Sequence, residues 1–82
     1  MNNEKIAVPS KEEVKTLLVF AMNDKNIHME TIGELLGMKL VDTLLPKFKN
    51  EPEWGYEGLR LFFNERGING QNTFEEALEK LQ

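Results

Sequence analysis

Between Ile27 and Phe48 the chain carries two short amphipathic patterns that meet at one glycine. Thr31 stands where its side-chain oxygen can cap the run Ile32, Gly33, Glu34, Leu35, Leu36; Gly37 interrupts that run, and Leu40, Val41, Leu44, Leu45 and Phe48 then recur at helical spacing. Neither segment is long enough to bury its apolar stripe alone. A pattern of this kind therefore folds only as helix packed on helix, within a core supplied by the rest of the chain.

The remaining segments read the same way. Ser10 with Glu13 forms a capping box for a first helix running to about residue 22, with Val14, Leu17, Leu18, Ala21 and Met22 as its stripe. Val19 and Phe20 lie on the flanks of that stripe, so the second half of this helix is apolar nearly all round and belongs at the centre of the protein or at an oligomer contact. A polar turn follows, then a second helix over about 30–36 that ends at Gly37, expected as a left-handed C-cap. The third spans about 39–48, with Pro46 deleting the bond to the Asp42 carbonyl and kinking or stopping it. A fourth follows the loop around Pro52 and runs to Arg66, stopped by Gly67, with Tyr56, Leu59, Phe62 and Phe63 facing inward. Thr73 and Glu76 cap a final helix bearing Phe74, Ala77, Leu78 and Leu81.

These elements predict an all-α bundle of four to five short helices, with residues 10–82 as a single helical domain behind a flexible arm over 1–9. Its expected centre is Leu17, Leu18, Phe20, Ile32, Leu36, Leu44, Phe48, Leu59, Phe62, Phe63, Phe74 and Leu78. The chain also echoes itself: Ile27, Thr31, Ile32 and Glu34 are matched by Ile68, Thr73, Phe74 and Glu76, with spacing that differs by one residue. Such an echo suggests two similar units facing each other, although capping boxes are generic enough to repeat by chance.

Eighty-two residues make one core, and the absence of cysteine excludes disulfides, thiol nucleophiles and thiolate metal ligands. His28 is the single histidine and Ser10 the single serine; neither has the partners that a nucleophile–base pair or a metal site requires. The six glycines match no phosphate-binding fingerprint. The expectation is a protein that is not an enzyme and that uses neither cofactor nor metal. The N-terminal residues show no apolar leader pattern, and the longest apolar run, 17–22, is too short to span a bilayer, which points to a cytoplasmic protein without a membrane partner.

With catalysis set aside, surfaces remain. If the fourth helix begins near Trp54, then Trp54, Gly58 and Leu61 form an i, i+4, i+7 stripe opposite Leu59, Phe62 and Phe63. Trp54, Tyr56 and Leu61 would anchor another protein or a second copy of this chain, as in a homodimer, and Glu51, Glu53 and Glu57 would steer a basic partner. The competing expectation is that Trp54 precedes the helix and folds back on the protein's own core as a staple.

Residues 30–49 resemble the helix-turn-helix class in part: Gly33 allows close helix approach, Leu36 and Gly37 make the turn, and Met38 covers the corner. The resemblance implies a DNA-binding regulator that uses Lys39, Thr43, Lys47 and Lys49. It departs where Thr43 and Pro46 occupy positions expected to be buried, and Asp42 would repel phosphate. The formal net charge of −4 also argues against nucleic acid as partner. The leading expectation is thus a small acidic interaction module of adaptor or inhibitor type, with DNA binding as the alternative.

Overall fold

The computed structural model describes residues 6–24, 26, 27, 29–38, 44 and 53–82, and over these the protein is all-α. Four helices appear among the described residues: α1 Lys11–Asn23, α2 Ile32–Gly37, α3 Gly55–Glu65 and α4 Phe74–Leu81. Of the expected helix over 39–48 only Leu44 is among them, buried in a turn; the rest, with Pro46 and Phe48, lies outside the described residues.

Local chemistry sets the helix starts. Ser10 Oγ accepts from the Glu13 N–H at 3.1 Å while the Glu13 carboxylate accepts from the Ser10 N–H at 2.8 Å, closing the box that begins α1. Thr73 and Glu76 repeat this reciprocal pair at α4, at 3.0 Å in each direction. At α2, Thr31 caps the Glu34 N–H, but the Glu34 carboxylate reaches back to the Glu30 N–H instead. α3 ends in a Schellman turn: Gly67, at φ +72°, donates to the Asn64 carbonyl, and Ile68 donates to the Phe63 carbonyl. Ile68 and Phe63 are both buried, and apolar residues at these two positions ordinarily accompany the motif. Gly37 departs from expectation. It remains in the last turn of α2, and the chain leaves through Met38 in extended geometry, so no left-handed cap forms there.

The two echoing segments face each other. Thr31 and Thr73 form an antiparallel bridge, the Ile32 N–H donates to the Asn72 carbonyl at 2.9 Å, and the Gly33 N–H donates to the Gly70 carbonyl at 2.8 Å. A helix of six residues is too short to nucleate alone. Here its first N–H groups find acceptors in the opposite loop, and Thr31 supplies the next.

The core is Val14, Leu17, Leu18 and Ala21 of α1, Ile32 and Leu35 of α2, Leu59, Phe62 and Phe63 of α3, and Phe74, Ala77 and Leu81 of α4, joined by Ile27, Leu44, Trp54 and Ile68. α1 packs directly on α4. Phe62 and Phe63 meet edge to face, 5.9 Å between centroids, and the exposed Arg66 guanidinium lies 3.9 Å from the centre of the Phe62 ring. Phe20, Leu36 and Leu78, expected at the centre, are half-buried and pack against its edge. Tyr56 is exposed rather than inward-facing: it is three residues short of Leu59, at the start of α3 where the core stripe has not yet begun.

Candidate functional site

The surface expected around Trp54 does not exist as drawn. Trp54 is the N-cap of α3, in right-handed geometry, and only 6% of it is exposed. Gly55 follows at φ +55°, a conformation open to glycine, and the Trp54 indole packs on the core. The Trp54 N–H is buried and meets no acceptor among the described residues. Gly58, expected on the partner-facing stripe with Trp54 and Leu61, is a notch filled by this chain. A Cβ there would overlap the Ala7 carbonyl and the Trp54 Cβ, so residues 6–9 run as a strap across the start of α3. Ala7 is half-buried and Pro9 buried, while Ile6 and Val8 face outward. The part of the arm that is described is therefore packed on the body.

The other expected site residues scatter. Leu61 is half-buried; Tyr56, Glu53 and Glu57 are exposed; and Glu57 is engaged with Arg60 at 3.6 Å. Glu51 lies outside the described residues, as do Lys39, Thr43, Lys47 and Lys49 of the DNA-binding alternative. His28 is outside them too, and among the described residues no cluster of three metal-ligating side chains forms. No described helix is long and apolar enough to cross a membrane.

A different surface is present on α1. Val19 is 45% and Met22 41% exposed, although Met22 belongs to the stripe expected to face the core. The α1 core is carried by Val14, Leu17, Leu18 and Ala21, and Met22 lies about 100° of helix rotation past Ala21, at the edge of that arc. Lys15, Val19 and Met22 form an i, i+4, i+7 line along the outside of the helix. On one side a shallow depression of about 360 Å³ is bounded by Lys15, Thr16, Val19 and Phe20. At the far end, where α1 meets the start of α4, a second of about 310 Å³ is bounded by Met22, Met29, Glu30, Thr73, Phe74 and Glu75. The line thus has an ammonium at one end, apolar groups in the middle and two carboxylates at the other. The apolar flank at Val19 and Phe20 was legible in the sequence as a possible oligomer contact, whereas Met22 and Met29 carried no such signal.

Comparison of the chain with protein-family models, with characterised proteins and with solved structures gives no match.

Proposed function

We propose that this protein is a docking module that acts by binding rather than by chemistry, and that its working surface is the outer face of α1. The observation that carries this reading is the pair Val19 and Met22, left open to solvent on one helix line with one depression beside Val19 and another beside Met22. Side chains of this kind gain about 1.5–3 kcal/mol each on full burial, so a second helix laid along the line has an apolar driving force. Methionine suits such a contact because its unbranched side chain adapts to the groove it meets. The charges select the occupant: a helix with an apolar stripe whose basic end lies by Glu30 and Glu75 and whose acidic end lies by Lys15.

The test is a titration of isotope-labelled protein with a synthetic amphipathic helix bearing leucines at i, i+3, i+4 and i+7 and lysines at its N-terminal end. Saturable amide shifts confined to residues 15–22, 29, 30 and 73–75, lost in Met22→Glu, are the expected result. No shifts, or shifts centred on α3 instead, would overturn the assignment.

A further inference from the structure

Resting on that docking reading, we propose that the occupant of the α1 face is the same face of a second copy, packed antiparallel about a two-fold axis close to Val19. The charge sequence along the line is what identifies it. Lys15 lies two turns from Met22, and Met22 borders the depression that also holds Glu30 and Glu75. Reversing the direction of one copy brings the ammonium end of each line over the carboxylate end of the other, and does so twice, because a two-fold contact repeats every pair. Val19 then falls near the axis. Met22 of each copy comes over the depression bounded by Lys15 and Thr16 in its partner.

A parallel arrangement would instead set Lys15 on Lys15 and Glu75 on Glu75. Of the other charges at the start of α1, Lys11 and Glu12 oppose each other in sign, and Glu13 lies about 160° around the helix from Lys15, held in the Ser10 capping box. The face covers about two turns of one helix, less than the roughly 1,000 Å² that a tight complex buries. The dimer is accordingly weak, dependent on concentration and sensitive to salt.

Sedimentation equilibrium of the full chain from about 10 μM to about 1 mM tests this, a range suited to a contact below standard size. A reversible monomer–dimer equilibrium is expected, absent in Val19→Asp, whose helix content stays that of the parent because the side chain is exposed. The decisive measurement uses two charge reversals, Lys15→Glu and Glu75→Lys. Each variant alone should dimerise about tenfold more weakly, since both symmetry-related 15–75 pairs become repulsive. An equal mixture should form a heterodimer stronger than either variant alone and close to the parent, because both 15–75 pairs are then again of opposite sign. A parent that is monomeric throughout, a Val19→Asp variant that dimerises like the parent, or a mixture no stronger than its components overturns the pairing. If the parent is monomeric yet binds the synthetic helix, only the self-pairing fails; if it binds neither, the docking surface fails as well.

Discussion

Gly33 and Gly70 meet backbone to backbone. The Gly33 N–H donates to the Gly70 carbonyl at 2.8 Å, and a Cβ placed on Gly33 would come within 2.8 Å of that same oxygen. The contact joins the two loop-and-helix units at the point where α2 begins, so the shortest helix depends on a residue 37 positions away in the chain.

Opposite outcomes are expected for the two glycines of α2. Alanine is the better helix former by about 1 kcal/mol. At Gly37, where a Cβ meets nothing within 4 Å, Gly37→Ala should stabilise the protein by about 0.5–1 kcal/mol. At Gly33 the same change forces the Gly70 backbone away and should destabilise by about 1–3 kcal/mol. Urea melts of the two variants check the sign of each. A Gly33→Ala variant as stable as Gly37→Ala would show that the loops are not held together as described.

The strap over α3 makes its own prediction. Gly58→Ala inserts a methyl group where the Ala7 carbonyl and Trp54 Cβ already lie. Either the strap or the indole must move, at a cost of about 1–3 kcal/mol. Tryptophan emission should shift to longer wavelength, and amide exchange over residues 6–9 should accelerate. Unchanged emission and exchange would place the strap elsewhere.

Trp54 itself should respond to substitution as a core residue. Trp54→Ala removes a buried indole and should cost about 3–5 kcal/mol. Trp54→Phe loses volume but also removes a buried N–H with no acceptor among the described residues, a group whose burial costs about 1–3 kcal/mol. The phenylalanine variant should therefore retain most of the stability. Thermal melts separate the two, and a stable Trp54→Ala protein would contradict the burial of the ring.

Acid should loosen the α4 cap. The Glu76 carboxylate accepts from the Thr73 N–H and from the Asn72 side-chain amide, with Lys80 one turn away, and these hold its pKa below the ordinary carboxylate range. An unfolded glutamate titrates at about 4.3, so below that pH the unfolded chain takes up the proton first. The contribution is thus complete at neutral pH and is lost as pH falls through the lower folded-state value. In Glu76→Gln this part of the pH dependence disappears, so the stability gap between parent and variant should narrow on acidification. Denaturation midpoints measured from about pH 6 to about pH 3 check this.

What could be read from the residues is what short-range chemistry controls. Ser10 with Glu13 and Thr73 with Glu76 announce α1 and α4 because cap and helix are three residues apart, and Gly67 announces the end of α3 because its positive φ is a local requirement. The apolar spacing likewise foretold that Leu17, Leu18, Ile32, Leu59, Phe62, Phe63 and Phe74 would be buried. Trp54 resisted such reading. Its environment turns on whether α3 includes it or begins just after it, and on the strap from residues 6–9 that arrives to close the Gly58 notch. The exposure of Met22 was hidden for a related reason: periodicity gives the angle of a side chain around its helix, but not which part of that circumference α4 covers. Caps and stripes are set by neighbours within one turn, whereas the candidate docking face is the remainder left after segments distant in the chain have packed together.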